Sequence, residues 1–221
     1  HVSVTDEAKE KYLNKKVSKY NGKVFCLSLP KWHNFFVRRD GTGYFTGNCG
    51  AGPVMASAVI IPVDLVPELT GKVKDSKKLS AKRRSYLYDL LVESCVYGVG
   101  SMSNHIIDEI NIFNATKRAM VEALSYIEKK DYLLIDGRVE LDDITVPQQQ
   151  MIKGDNVSIS IASASIIAKI IRDKIVANLH EKHPQYNWVN NKGYLTKEHI
   201  QAIKEYGITE YHRKSFRKVG K

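Results

Sequence analysis

Residues 54–61 have the sequence VMASAVII, an almost wholly apolar run that stands between two prolines. A short apolar run with proline at both ends is typical of a strand buried in a sheet. Further along the chain, residues 132–135 (YLLI) form a second such run, and Asp136 and Gly137 follow it directly. The sequence therefore predicts two core strands, and the second ends in a carboxylate.

The segments around these runs have the periodicity of helices and of further strands. Ser80 is placed to cap a helix over about 81–93, where apolar residues recur at helical spacing. Further helices are predicted over 111–127, 158–180 and 196–206, and further strands over 95–103 and 144–152. This mixture of strands with helical connections predicts an α/β fold, a layered sheet with helices on its faces.

Residues 1–48 have a different pattern. Residues 23–30 and 32–37 are short runs suited to strands, and turn-forming residues follow at 40–43. The pattern predicts short strands joined by a hairpin, with no helix large enough to bury a core. Such a piece is not expected to be stable alone, so it is expected to need a partner or the rest of a domain.

The composition favours a polyanionic partner. The chain has 221 residues, a formal net charge of +10 and an isoelectric point of about 9.4. A basic balance of this kind is typical of nucleic-acid-binding proteins, and charge that serves only solubility is the alternative. The cysteines, Cys26, Cys49 and Cys95, lack the spacing of a disulfide framework or a zinc site, which favours the reducing cytoplasm.

Targeting signals are not visible in the sequence. No apolar run approaches the roughly 20 residues that span a membrane. The start, HVSVTDE, lacks the apolar core of a signal peptide and also lacks an initiator Met. These features predict that the chain is a fragment or a processed product of a longer one.

Carboxylates near the ends of predicted elements are the candidates for catalysis. Hydrolysis of a phosphodiester by two metal ions needs several carboxylates that converge on Mg²⁺ or Mn²⁺, and strand ends hold them rigidly. Asp136 fits this role best, with a turn-capping role as the alternative, and Asp155 fits a metal ligand or a helix N-cap equally well. Asp173 lies among charges within a predicted helix, which favours a structural ion pair. The histidines, His199 and His212 among them, show no metal-ligand spacing and are predicted to lie mostly at the surface.

Basic and aromatic residues suggest a surface for nucleic acid. Basic residues cluster at Lys77 and Lys78, at 82–84 and at 212–217, where they can contact phosphates or simply face solvent. Tyr194 lies in a turn before the last predicted helix. An exposed aromatic side chain there can stack on a sugar or base, and packing within the protein is the alternative.

Nine short motifs follow one another in an order that is itself informative. They are AGPV at 51–54, DSKKLS at 75–80, DEINI at 108–112, LIDG at 134–137, KGD at 153–155, IASASIIAK at 161–169, RD at 172–173, KGY at 192–194 and HRKSF at 212–216. Together they resemble the ribonuclease HII family over residues 49–221. Nine motifs in the family's order argue against chance similarity.

This resemblance implies an RNase H-like fold and cleavage of RNA in RNA–DNA hybrids, including single ribonucleotides embedded in DNA. It implies Mn²⁺ or Mg²⁺ as the cofactor, held by four carboxylates, of which Asp136 matches the third and Asp155 the fourth. Tyr194 matches a tyrosine that packs on the ribonucleotide sugar. The 2′-hydroxyl and the shape of the hybrid would separate RNA from DNA. The residues that the resemblance assigns to phosphates are Lys77, Lys78, Arg213 and Lys214.

The chain departs from the family just before the first motif. The family begins with a strand that ends in Asp-Glu, followed by Gly-Arg-Gly, but here residues 45–50 are FTGNCG. This junction resembles the C-terminal end of an intein. Asn48 would cyclise and break the peptide bond, Cys49 would accept an acyl group, and His33 resembles an assisting histidine. Inteins often have His before the terminal Asn, whereas Gly47 stands there in this chain.

The resulting interpretation divides the chain into 1–48, the C-terminal segment of an intein, and 49–221, a ribonuclease HII domain without its first strand. In this unspliced form the chain is expected to be inactive or very weak, because half of the metal ligands are missing. Its expected partners are the hybrid substrate and a missing N-terminal intein and extein segment, supplied in cis or in trans. The alternatives are a non-catalytic hybrid-binding protein that has lost the Asp-Glu pair, and a self-processing intein fragment.

Overall fold

A computed structural model describes residues 49–73, 76 and 79–220, together with the backbone of three earlier strands. The strands are β1 (Phe25–Ser28), β2 (Phe35–Arg39), β3 (Thr42–Thr46), β4 (Val54–Ile60), β5 (Val96–Met102), β6 (Leu133–Asp136) and β7 (Gln148–Met151). The helices are α1 (Val66–Leu69), α2 (Ala81–Ser94), α3 (Asn104–Ser125), α4 (Ile159–Lys182), α5 (Trp188–Asn191) and α6 (Lys197–Tyr206). Short 3₁₀ turns lie at Val63–Leu65, Gly154–Asn156 and Pro184–Tyr186.

The main sheet is mixed, in the order β5-β4-β1-β6-β7. β4 is antiparallel to both of its neighbours, whereas β1, β6 and β7 run parallel to one another. Successive side chains of β4 point to opposite faces of the sheet. Ala56 and Ala58 pack with α3 on one face, and Val59 packs with α2 and α4 on the other. The expected α/β sheet with helices on both faces is therefore present.

Strand β1 lies at the centre of this sheet, which the division at residue 48 did not predict. The expected hairpin is β2 with β3, which pair as a separate two-stranded sheet. β1 instead pairs Cys26 with Val59 on one side and with Leu134 on the other. The physical reason is that β4 and β6 each turn a row of backbone N–H and C=O groups toward this gap, and buried backbone groups need partners.

The predicted helices are present, and their ends follow from capping side chains. The Ser80 side chain accepts a hydrogen bond from Arg83 N and begins α2, and Ser158 does the same for α4. α3 begins earlier than predicted, at a cap from Ser103. The predicted start at 111 coincides with a break, because Asn111 has a φ of 65° and its side chain caps the helix that follows. Among the described residues, no helix combines the length and the apolar character needed to cross a bilayer.

Glycines in β5 allow α3 to approach the sheet closely. A Cβ placed on Gly98 would overlap the carbonyl oxygen of Ala123, and one on Gly100 would overlap that of Ala119. The obstacle in both cases is helix backbone, which cannot turn aside as a flexible side chain can. The distance between α3 and the sheet therefore depends on these two positions.

We expect Gly100→Ala to lower the free energy of unfolding by about 1–3 kcal/mol, the usual cost of overpacking a core. The measurement is urea unfolding of the full chain. Ser101→Ala, at an exposed position of the same strand, is the matched control and should change stability by less than about 0.5 kcal/mol. Equal effects of the two substitutions would contradict the close approach of α3.

Candidate active site

Asp136 and Asp155, the two predicted metal ligands, are brought together by one hydrogen bond. Asp136 is the last residue of β6, and its Oδ1 accepts from the backbone N–H of Gly154 at 2.9 Å. Asp155 follows directly in the 3₁₀ turn, and its buried carboxylate accepts from the Asn156 side chain at 3.0 Å. The bond to Gly154 N therefore places both carboxylates at the same end of β6.

Gly154, directly before Asp155, packs tightly against α4. A Cβ on Gly154 would overlap the side chain of Ile161, which lies in the first turn of α4. The close contact between this turn and α4 fixes the backbone N–H that Asp136 accepts. The chain thus holds Asp136 and Asp155 through rigid elements on both sides, as a preorganised site requires.

This pair has the chemistry of a site for a hard divalent cation. Carboxylate oxygens are the ligands that Mg²⁺ and Mn²⁺ prefer. Within the described part of the chain, however, His, Cys, Asp and Glu nowhere form a group of three or more that could hold a metal ion. Asp136 and Asp155 thus fit as part of a metal site, and further oxygen ligands are needed to complete it.

Asp173 takes no part in this pair. Its carboxylate accepts from Lys169 Nζ at 2.6 Å, one helical turn earlier in α4, and both side chains are mostly buried. Burial lowers the pKa of Lys169, and the carboxylate opposes that shift. The predicted structural ion pair is confirmed.

A second feature of the site is the anchor segment, which we define as residues 49–53. It runs between two other parts of the chain, 191–194 and 211–213. Gly50 N donates to Gly193 O at 2.8 Å, and Arg213 N donates to Gly50 O at 2.8 Å. Gly52 N donates to the carbonyl of Tyr211 at 2.9 Å. The anchor segment therefore joins the turn that carries Tyr194 to the C-terminal basic motif.

Two buried arginines hold the carbonyl groups of the anchor segment. Arg172, from α4, donates to Ala51 O at 3.2 Å, to Pro53 O at 3.3 Å and to Lys192 O at 2.9 Å. Arg213 donates to Gly52 O at 3.0 Å and to Pro53 O at 3.1 Å. The resemblance did not assign a role to Arg172, and the only signal for it in the sequence is the RD motif.

The prediction that Arg213 contacts a phosphate needs correction. Its side chain is completely buried, with its guanidinium over the ring of Phe216. Burial lowers its pKa to about 9, so it is still a cation at neutral pH. A run of basic residues in a loop suggests a surface, but the carbonyls of Gly52 and Pro53 replace water around this charge. A side chain in this position does not reach a substrate phosphate.

Lys214, the next residue, is exposed. Its backbone N donates to Asp108 Oδ2, and both the N–H and the hydroxyl of Ser215 donate to Asp108 Oδ1. Asp108, on α3, therefore fixes the loop from which the Lys214 side chain extends into solvent. Lys77, Lys78, His33 and Asn48, which were also assigned roles, lie outside the described residues.

Tyr194 is half-buried, between the two alternatives that its sequence position left open. Its backbone forms a bridge with Cys49, which is fully buried. Burial, and then the neighbouring Cys49 side chain, raise the pKa of Tyr194 to about 12, so the phenol keeps its proton. Gly193 before it has a φ of 79° and lies against Ala51 O, which requires glycine.

His199 and His212 are completely buried, so the prediction of surface positions is wrong for them. Their Nε2 atoms lie 3.1 Å apart, and His199 Nδ1 lies 2.9 Å from the carbonyl oxygen of Tyr194. One signal in the sequence was available, because His199 stands at helical spacing from Ala202 and Ile203 on the buried side of α6. These imidazoles connect the Tyr194 turn with the C-terminal motif.

A mixed sheet flanked by helices, with a carboxylate pair at the end of an inner strand, is the arrangement expected of a metal-dependent nuclease of the RNase H-like class. The comparisons with known proteins agree. The sequence model described as Ribonuclease HII matches residues 46–219. The chain belongs to the ribonuclease HII family and is a metal-dependent endoribonuclease, a hydrolase.

Relatives support this assignment over most of the chain, and a solved structure shares the fold. The chain is 48% identical over 168 residues to Ribonuclease HII of Rickettsia canadensis, covering 76% of this chain and 83% of the relative. It is 44% identical over 191 residues to that of Thermosynechococcus vestitus, covering 85% and 87%. The ribonuclease HII in the PCNA:RNase HII complex from Archaeoglobus fulgidus superposes with a TM-score of 0.69 at 24% identity, covering 86% and 93%, which shows a shared fold.

The two buried imidazoles predict a pH-dependent stability. Burial and the neighbouring histidines lower the pKa of His212 to about 4, and burial lowers that of His199. The unfolded chain thus binds more protons than the folded chain between the folded pKa and the ordinary value near 6.5, so stability rises with pH across this window. Each unit of pKa shift corresponds to about 1.4 kcal/mol, so His212 alone should lower the free energy of unfolding by roughly 2–3 kcal/mol between pH 7 and pH 4.

The measurement is urea unfolding at pH 7, 6, 5 and 4.5. In His212→Asn, whose amide can still accept from Thr209 N, the dependence on pH should become clearly shallower. An unchanged slope in this variant would show that His212 is not the group that titrates.

Proposed function

We propose that residues 49–221 form the body of a ribonuclease HII that hydrolyses the RNA strand of RNA–DNA hybrids and cuts at single ribonucleotides embedded in DNA. The observation that carries the proposal is the hydrogen bond from Gly154 N to Asp136, which unites Asp136 and Asp155 at the end of β6. These two carboxylates would hold Mn²⁺ or Mg²⁺. When bound, the metal supplies an activated water and stabilises the leaving oxygen.

The residues of the chain divide the remaining tasks. The Gly154 N–H orients the Asp136 carboxylate before any metal arrives. Tyr194, held against Cys49, offers its ring to the ribonucleotide sugar, where only RNA carries a 2′-hydroxyl. The exposed Lys214, together with Lys77 and Lys78, neutralises phosphates. Arg213 contributes by holding the anchor segment from within.

We infer further that residues 1–48 are the C-terminal segment of an intein, and that the chain by itself is nearly inactive. β1 runs parallel to β6 and pairs Leu27 with Ile135, so Ser28 and Asp136 come to the same edge of the sheet. In the family, the first strand brings an Asp-Glu pair to the site. The strand beside Asp136 in this chain, FCLS, has no carboxylate to offer.

The nuclease proposal is tested by completing the site. A strand ending in Asp-Glu and Gly-Arg-Gly is fused ahead of Cys49, and the substrate is a duplex with one ribonucleotide, in Mn²⁺. The fusion should cleave this duplex at least roughly 100-fold faster than residues 1–221, because the missing metal ligands are restored. Asp136→Asn and Asp155→Asn should abolish the gain.

The matched control is Asp142→Asn, an exposed carboxylate paired with Lys117, which should cleave normally. A folded fusion that binds the duplex without cutting it would overturn the carboxylate assignment and favour a hybrid-binding protein. Normal hydrolysis by residues 1–221 alone would show that the site needs no further strand.

The intein proposal is tested by mass. When the missing N-terminal segment is supplied, the side-chain amide nitrogen of Asn48 attacks its own carbonyl, forming a succinimide and freeing the amine of Cys49. The acyl group that Cys49 has accepted then moves to this amine, so we expect a product in which the donated segment is followed by the former residues 49–221, and none from Asn48→Ala. Asn34→Ala serves as the matched asparagine control. An unchanged intact mass for the unsubstituted chain after long incubation would refute the splicing role.

A further inference from the structure

The buried histidine pair occupies the contact between the Tyr194 turn and residues 209–213. Trp188 and Tyr186 stack on each other with ring centroids 5.1 Å apart and cover the pair on one side. Both imidazoles are completely buried, so solvent cannot supply hydrogen-bond partners. Every ring nitrogen of the pair must therefore be satisfied by the groups around it.

The partners fix where each proton lies. Thr209 N donates to His212 Nδ1 at 2.9 Å, and since a backbone N–H can only donate, the proton of neutral His212 is on Nε2. Trp188 Nε1, also only a donor, lies 3.0 Å from His199 Nε2. His199 Nε2 is thus the acceptor for both Trp188 and His212, and its own proton is on Nδ1.

One consequence concerns Tyr194. His199 Nδ1–H donates to the carbonyl oxygen of Tyr194 at 2.9 Å. A hydrogen-bonded chain therefore runs from Thr209 through His212 and His199 to the Tyr194 backbone. Every donor in this chain meets an acceptor only when both imidazoles are neutral.

An added proton would break this chain at either histidine. On His212 it would set Nδ1–H against Thr209 N–H, leaving the Thr209 hydroxyl oxygen at 3.0 Å as the neighbouring acceptor. On His199 it would set Nε2–H against Trp188 and His212. The groups that face the pair offer no compensating anion at neutral pH. They are His183 after α4, Tyr186 in the 3₁₀ turn, Tyr211 beside His183 and Tyr194 itself. The neighbouring carboxylates in the chain, Glu198 and Glu210, are exposed.

We propose that His199, oriented by His212, is a positioning residue that fixes Tyr194 for contact with the ribonucleotide. The contact itself belongs to the function proposed above. The hydrogen bonds of His199 within the described residues run to Trp188, Thr196, His212 and the Tyr194 carbonyl, so its link to the proposed site is the Tyr194 backbone. The hydrogen bond from His199 Nδ1–H to the Tyr194 carbonyl provides this positioning.

Two substitutions distinguish the role of the Nδ1–H group from that of the rest of the imidazole. In His199→Asn the side-chain NH₂ stands near the position of Nδ1 and can still donate to the Tyr194 carbonyl. In His199→Gln the amide reaches the position of Nε2 and leaves that carbonyl with only the backbone N–H of Thr196, at 2.8 Å, as a donor. Both variants remove the imidazole and keep a neutral polar side chain, but only the Gln variant can still accept from Trp188 and His212. A larger effect in His199→Gln than in His199→Asn therefore reports on the bond to Tyr194.

The position of Tyr194 is read through Cys49, which is buried against it. In the full chain with Cys26→Ser and Cys95→Ser, Cys49 is the remaining thiol, and its labelling by a dithiodipyridine is compared with that of a model thiol at each pH. At pH 7.5 we expect Cys49 to be labelled at least tenfold faster in His199→Gln than in the parent. In His199→Asn the labelling rate should stay close to that of the parent. The loss should be independent of low urea concentrations, because the opening is local.

The parent should lose protection in the same way between pH 6.5 and pH 4.5. Nitrogen-15 spectra of the imidazoles at pH 7.5 should show the proton on Nδ1 of His199 and on Nε2 of His212. Equal protection in the Asn and Gln variants, or the opposite tautomers, would overturn the positioning role.

A binding measurement separates the positioning of Tyr194 by His199 from the contact of Tyr194 with the ribonucleotide sugar. The preference of the chain for a duplex with one ribonucleotide over the all-DNA duplex is measured by fluorescence anisotropy. His199→Gln should lose this preference and His199→Asn should keep it. If labelling behaves as expected but the parent shows no preference, the sugar contact of Tyr194 fails and the positioning of Tyr194 by His199 still stands.

Discussion

The structure depends on the burial of two guanidinium groups beneath the carbonyls of the anchor segment. Arg172 comes from the long helix α4 and Arg213 from the C-terminal motif, and both donate to residues 51–53. Each arginine removed would leave buried carbonyls unpaired, at a cost of about 1–3 kcal/mol for each group. Because Arg172 also holds Lys192 O, the same interaction sets the turn that carries Tyr194. The helix, the turn and the C-terminal motif are therefore assembled around five residues.

This arrangement bears on how an interruption just before Cys49 can be tolerated. The anchor segment is held through its backbone carbonyls, and the ladder of β1 with β4 and β6 also uses only backbone groups. Neither depends on which side chains precede Asn48. In the proposed unspliced form, the body can thus reach its fold with FCLS in the central strand and still lack catalysis, because the carboxylates of the first strand are absent. The strand in the central position of the sheet would therefore decide activity through its side chains, whereas the fold needs only its backbone.

Much of the fold follows from the sequence, because its signals are local. The caps at Ser80 and Ser158 and the apolar runs of β4 and β6 lie within a few residues of the elements they define. The start of α3 was missed because Asn111 interrupts the helix at the residue where the helix was predicted to begin. The place of β1 was missed because strand order is set by pairing between distant segments.

The candidate site shows the same division. Asp136 and Asp155 could be chosen because each stands at the end of a recognisable element. The burial of Arg213 could not be predicted, since its partners at 52 and 53 are 160 residues away or more. The histidine pair was missed for a related reason. Only the fold brings the loop at 209–212 against α6, and a histidine in an exposed-looking motif gives no sign of a buried partner.

The central claim is that residues 49–53 are part of the core of the nuclease body, and native-state amide hydrogen exchange tests it most directly. The informative amides are Gly50, Gly52 and Arg213, which bond to Gly193, Tyr211 and Gly50. At neutral pH they should exchange only through global unfolding, with the same free energy and urea dependence as the amides of β4 and β5. Exchange of these three amides through a local opening, well below the global free energy, would contradict it.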